Sequence, residues 1–177
     1  MISDCASSVR MKTVRLRAFS LLELLAAVSI LAVVAALMVS VSDDVRARAE
    51  KANCMANLRA LHVGFAAYIQ DHKQWPQEPE DGLPDAQFGR WWVDKMLPYT
   101  GDSKVWFCPT DLRRDPSIND ERNPQLSYTP AMFDQHHFTP YRWTKQPWAI
   151  EVGDFHGGGN LILFPDGSIR GSLDLMP

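Results

Sequence analysis

Few side chains in this sequence have the type and placement to do chemistry. There are three cysteines, Cys5, Cys54 and Cys108. Cys5 lies in a basic leader, so Cys54 and Cys108 remain as an even pair, which oxidises outside the cytoplasm and stays as thiols inside it. A bridge between them would enclose a loop of roughly fifty residues, worth about 4 kcal/mol in the chain-entropy picture. Cys108 has no nucleophile context, and the following Pro109 reads as a structural turn. His156 precedes Asp166-Gly167 by nine intervening residues in HGGGNLILFPDGSIRG, where Pro165-Asp166-Gly167 is the turn of a β-hairpin and Gly167 supplies positive φ. Positions ten apart can face each other across such a hairpin, so a polar His156–Asp166 clasp is expected. One His and one Asp, with only Asp154 to add, are too few ligands, so no metal and no cofactor is expected. Gly157-Gly158-Gly159 lacks a following Lys-Ser/Thr and leads into a strand, which argues against a phosphate loop. No Ser-His-Asp order, HExxH or paired carboxylates point to an enzyme.

The last chemical oddity is Glu23, one carboxylate within RAFSLLELLAAVSILAVVAALMV. From Leu24 to Val41 there are eighteen residues interrupted only by Ser29 and Ser40. About 20 residues suffice to cross a hydrocarbon core of about 30 Å, so the run predicts a membrane span. A charge there costs at least a few kcal/mol at mid-bilayer and calls for a partner. Arg10, Lys12, Arg15 and Arg17 precede the run and Asp43 and Asp44 follow it, which predicts a cytoplasmic N-terminus with everything after Val41 outside. A secretory signal peptide, cut near Ala32, Ala35 and Ala36, and a plain uncleaved anchor are the alternatives.

The elements that position these residues follow from periodicity. Val45, Ala49, Ala52, Met55, Leu58, Leu61, Phe65, Tyr68 and Ile69 recur at three- and four-residue steps, and no proline occurs between Phe19 and Trp75. One helix is predicted from about Phe19 to Asp71, apolar all round in its first half and amphipathic in its second. Gly64 is its one weak point, and His62 reads as a packed or rim residue beside the apolar face. Beyond Trp75-Pro76, residues 76–90 read as loop, 91–101 as a short helix stopped by Pro98, and 105–111 as a brief strand. Residues 111–124 read as a polar loop, and 126–133 and 147–152 as strands. The six tryptophans all lie after the helix and are expected in a small core, with subunit contacts or a sugar platform as alternatives.

Arg17-Ala18-Phe19-Ser20-Leu21-Leu22-Glu23 resembles the type IV prepilin processing site: a basic leader, a small residue, Phe, then Glu at the fifth mature position. Ala18 stands where that family usually has Gly. The resemblance implies cleavage between Ala18 and Phe19 by a prepilin peptidase and N-methylation of Phe19. It also implies that Glu23 pairs with the new amine, its own or a neighbour's, as a registry device in assembly. CMANLRALHVGFAAYIQDHKQWP, 54–76, is similar to the membrane-proximal helix of type II secretion pseudopilin-like proteins. His156 with Asp166-Gly167 resembles the His-x9-Asp-Gly signature near the C-terminus of prepilin-like proteins of the Planctomycetes and Verrucomicrobia type.

The fold expected from these resemblances is α+β and pilin-like: a long N-terminal helix with a membrane-spanning first half, packed on a small antiparallel β-sheet ectodomain. The parts are a leader at 1–18, the assembly half at 19–41, the amphipathic half at 42–75 and an extracytoplasmic ectodomain at 76–177. The expected function is a structural subunit of a type II secretion or type IV pilus-like filament at the inner membrane. Its partners would be other pilin-like subunits, the prepilin peptidase, a platform protein and an assembly ATPase. A membrane-tethered or filament-tip module binding polysaccharide or secreted cargo is the alternative. Net charge is −3 over 177 residues, and without the leader 14 basic face 20 acidic side chains, so nucleic acid is not an expected partner.

Overall fold

A computed structural model describes residues 20–79, 82–136 and 139–175, and for 38–43 the backbone alone. Helix α1 runs Leu21–His72, 52 residues. Three shorter helices follow, α2 at Asp85–Thr100, α3 at Pro109–Arg114 and α4 at Thr139–Arg142. Strands β1 (Tyr128–Pro130), β2 (Ala149–Glu151), β3 (Leu161–Leu163) and β4 (Ile169–Gly171) form one antiparallel sheet in sequential order. The class is α+β. The chain divides into two compact units, 1–42 and 43–177.

In the first unit, every side chain from Leu21 to Leu37 is exposed, the large apolar ones by 42–82%. The Ser29 hydroxyl donates to the Leu25 carbonyl at 2.8 Å, which satisfies it within the helix. Among the described residues no helix is long and apolar enough to cross a membrane. That finding overturns the expected membrane-spanning first half, and with it the single-pass inner-membrane placement. The described stretch from Leu21 to Leu37 carries the Glu23 carboxylate, a charge that costs at least a few kcal/mol inside a bilayer.

In the second unit α1 buries a single stripe. Cys54, Leu58, Leu61 and Phe65 are fully buried, and Tyr68 and Ile69 nearly so, following the three- and four-residue spacing of one helical face. Phe65 stacks on Trp75 at 4.6 Å and meets Trp92, Trp106 and Trp148 edge-on at 6.1–6.3 Å. These four indoles are fully buried and dominate the core, Trp91 is half-buried, and Trp143 stays exposed.

α2 crosses α1 closely. A Cβ on Gly64 would sit 2.8 Å from Thr100 Cγ2, and one on Gly89 would fall 1.8 Å from the Pro124 carbonyl oxygen. The residue that weakens α1 as an isolated helix is therefore the one that admits its neighbour. α2 starts earlier than the sequence suggests, directly after Pro84, and contains Pro98 instead of stopping there. Pro98 lies in the last turn, and Gly101 closes the helix just after it in the left-handed conformation, its N–H donating to Leu97 O at 2.9 Å.

The segment expected as a strand at 105–111 is instead a 3₁₀ turn, Ser103–Trp106, followed by α3. Asp102 accepts from Lys104 N at 2.9 Å to start the turn, and Pro109 occupies the first position of α3, where its missing N–H costs nothing. A second 3₁₀ turn, Pro116–Asn119, lies within the expected polar loop.

Candidate metal centre

Four segments of the second unit bring one donor each to a common point. Cys54 comes from the buried stripe of α1, Cys108 immediately precedes α3, Glu151 ends β2, and His156 lies on the loop that follows. Their sulfur, nitrogen and carboxylate oxygen atoms all lie within 4.8 Å of one another. Cys108 Sγ is 3.3 Å from His156 Nε2, and the same nitrogen is 3.6 Å from Glu151 Oε1. The His156 and Glu151 side chains are 2% and 0% exposed. Both cysteines are fully buried free thiols.

The segments that carry Cys54, Cys108 and Glu151 are held by the fold around them. Cys108 N donates to Ser127 Oγ at 2.9 Å, and that hydroxyl donates to Asp111 Oδ2 at 2.7 Å. Asn57 Nδ2 donates to Phe107 O at 3.0 Å, joining α1 to the residue before Cys108. Glu50, one turn before Cys54, is gripped by Thr110 Oγ1 at 2.7 Å and by Arg113, both on α3. Glu151 is fixed by Leu161 N, which donates to Oε2 at 3.1 Å, and by Asn160 Nδ2, which donates to the Glu151 carbonyl at 2.8 Å. These bonds leave Glu151 Oε1 buried with no hydrogen-bond partner, turned toward the imidazole.

The electrostatics follow from burial and contact. The Cys54 thiol bonds to the Cys108 sulfur, which raises the pKa of Cys54 and, together with the N–H groups of Thr110 and Asp111 and with His156, lowers that of Cys108 to about 5. Removal from water pushes Glu151 up to about 8, with the nearby Cys108 adding to the shift. Burial raises Tyr128 as well. A buried acid with one oxygen unsatisfied costs on the order of 1–3 kcal/mol unless something meets that oxygen.

Cys54 and Cys108 are thus brought together, as thiols and not as a bridge. His156 does not form the expected clasp with Asp166: its Nε2 faces Cys108 and Glu151, while Asp166 Oδ1 accepts from Ser168 N at 2.9 Å within the turn. Gly167 has φ +77 there. The turn is tied to α1 by His62 instead, whose Nε2 is 3.0 Å from Pro165 O while its ring stacks on Trp148 at 4.9 Å. Glu23 is exposed in the first unit. Ala18 and Phe19, the expected cleavage and methylation positions, lie outside the described residues.

Glu151 is the functional residue that the sequence motifs do not reveal. Its register is the available signal: in PWAIEV it shares the inward parity of Ala149, with the half-exposed Ile150 between them. A carboxylate on the inward face of a strand needs a reason. Compared with protein-family models, curated proteins and solved structures, the chain matches none of them.

Proposed function

We propose that this chain is a pseudopilin-like structural subunit of a type II secretion or type IV pilus-like filament, assembled through its N-terminal helix after leader cleavage and N-methylation. The observation that carries this reading is the helical surface from Leu21 to Leu37. It is apolar on all sides, it is exposed along its whole length, and its one charge is Glu23. An exposed apolar surface of this extent marks an interaction site. The occupant that fits is the same surface on further copies of the chain, because a helix without a polar face can be enclosed on every side by its like. The positively charged amine created at Phe19 then lies about four residues from Glu23 on its own or a neighbouring helix, and a subunit docked out of step would bury that carboxylate unpaired. The processing-site resemblance at 17–23 supports the same reading. So does the unshared work of the two units, one presenting an apolar helix and the other a closed, indole-rich core.

Co-expression with a prepilin peptidase tests it. The expected product begins at Phe19, carries one added methyl group on its amine, and forms sedimentable polymers. Glu23→Ala is expected to abolish the polymers without changing the unfolding of residues 43–177. A product that keeps its leader, or one that polymerises normally as Glu23→Ala, overturns the reading.

A further inference from the structure

We propose that Cys54, Cys108, Glu151 and His156 form a closed, four-coordinate structural site for a thiophilic divalent cation, and that Zn2+ is the ion its donors fit. The inference is independent of the filament reading. With metal–sulfur bonds of about 2.3 Å and metal–nitrogen or –oxygen bonds of about 2.0–2.2 Å, the ligand atoms of a tetrahedral zinc site lie about 3.3–3.8 Å apart. The Cys108 Sγ to His156 Nε2 and His156 Nε2 to Glu151 Oε1 separations of 3.3 and 3.6 Å fall in or at the edge of that range, and all four donors lie within 4.8 Å of each other. The same imidazole nitrogen is directed at both a thiol and a carboxylate, which places it over their common centre.

The donor chemistry excludes the common alternatives. Calcium and magnesium take six or more oxygens and have no use for two sulfurs. Two thiolates, an imidazole and one carboxylate suit a borderline-soft ion that accepts four ligands without geometric demands. A disulfide between Cys54 and Cys108 would account for two of the four groups. It leaves unexplained why Glu151 is buried with Oε1 unpartnered and aimed at His156. An ion accounts for all four, and its charge offsets that of the ligands in a place that water does not reach.

All four positions would be filled by protein, so the site holds structure and leaves no open position for substrate. It would join α1, the start of α3, the end of β2 and the loop carrying His156. Short strands of three residues each supply little cohesion of their own, and an ion binding four segments at once replaces it.

The test uses the full chain, reduced and stripped of metal with a chelator, in mild detergent. Titration with Zn2+ is expected to saturate at one ion per chain, to raise the unfolding temperature, and to protect both buried thiols from alkylation under partial denaturation. Co2+ is expected to give the thiolate-to-metal charge-transfer band and the intense visible bands of a tetrahedral complex. Cys108→Ser should remove about half of the charge-transfer intensity, because one of the two thiolates is lost. Glu151→Gln, which keeps the side-chain size, should retain the sulfur band and weaken Zn2+ binding by about tenfold or more. The wild-type titration needs no variant to fold. Reduced wild-type chain that takes up no Zn2+ at micromolar concentration overturns the proposal, as does uptake that leaves both thiols as reactive as in the metal-free protein. Binding unchanged in Glu151→Gln overturns the four-ligand assignment.

Discussion

Leu21–Leu37 and Leu58–Ile69 are both rich in large apolar side chains and both belong to α1, but their surroundings differ completely. In the first, no side chain is covered; in the second, Leu58, Leu61, Phe65, Tyr68 and Ile69 are buried under α2, the sheet and the indoles. Pattern separates them where apolar content does not. The covered stretch interleaves its apolar stripe with Arg59 and His62 and is flanked by Asn57 and Gln70, so it has one face to bury. The uncovered stretch has no polar face to offer water, and none of its side chains is buried among the described residues. The sharpest way to break this contrast is a matched pair of truncations. Phe65→Ala removes the ring on which four tryptophans converge and should cost about 3–5 kcal/mol. Leu31→Ala should change the unfolding of residues 43–177 by no more than about 0.5 kcal/mol. Urea unfolding followed by tryptophan fluorescence reads both. A comparable loss for Leu31→Ala would mean that the uncovered stretch supports the core after all.

A smaller effect separates the two stretches by shape. The covered stretch packs against α2, which is itself bounded by close backbone approaches. Gly89 makes the tightest of them, its α-carbon facing the Pro124 carbonyl where a methyl would fall 1.8 Å from oxygen. In an exposed helix a change from Gly to Ala gains propensity worth about 1 kcal/mol. Here Gly89→Ala should instead destabilise by about 2 kcal/mol, because α2 must shift off the 124 segment. Ala27→Gly, on the uncovered stretch, should follow propensity alone and lower helix content without touching the core. Stability that rises in Gly89→Ala would show that the α2 contact yields freely.

These contrasts also separate what sequence pattern encodes from what only the fold assembles. The stripe from Cys54 to Ile69 is legible because burial of one helical face leaves a period, and the hairpin at 161–171 because Pro165-Asp166-Gly167 is a turn in any context. Pattern misleads where a proline has two meanings. Pro109 reads as the end of a strand, yet it opens α3; Pro98 reads as the stop of a helix, yet it rides in the last turn of α2. Apolar length at the N-terminus predicts a membrane crossing that the described helix does not support. The four-donor cluster is illegible for a different reason. Its members are separated by up to about a hundred residues, and spacing rules see only ligands that are neighbours in sequence. Cys54 and Cys108 suffice to explain each other as a pair, and His156 pairs as readily with the hairpin turn. Only the fold puts Glu151 between them.

Glu50 marks where the covered part of α1 begins, and its titration gives the smallest and most specific test. Its carboxylate accepts from Thr110 at 2.7 Å, from Arg113 in a two-pronged contact, and from Arg46 one turn earlier at 3.1 Å. The Thr110 hydroxyl, then the two guanidiniums, hold its pKa near 2 against an ordinary 4.5. A carboxylate held below its unfolded value contributes stability that is complete above about pH 4.5 and is lost as the pH falls through that value toward 2. Arg113 and Arg46 are 45% and 66% exposed, so solvent and salt screen much of the attraction, and about 1 kcal/mol at neutral pH is the expected contribution. Glu50→Gln keeps the shape and an acceptor for Thr110. Its urea-induced unfolding midpoint should therefore lie below wild type at pH 6–7, with the gap closing steadily between about pH 4.5 and 3. A Glu50→Gln gap that stays constant down to pH 3 would assign the tie to the Thr110 hydrogen bond alone, and the covered stretch would then be anchored at its start by shape and not by charge.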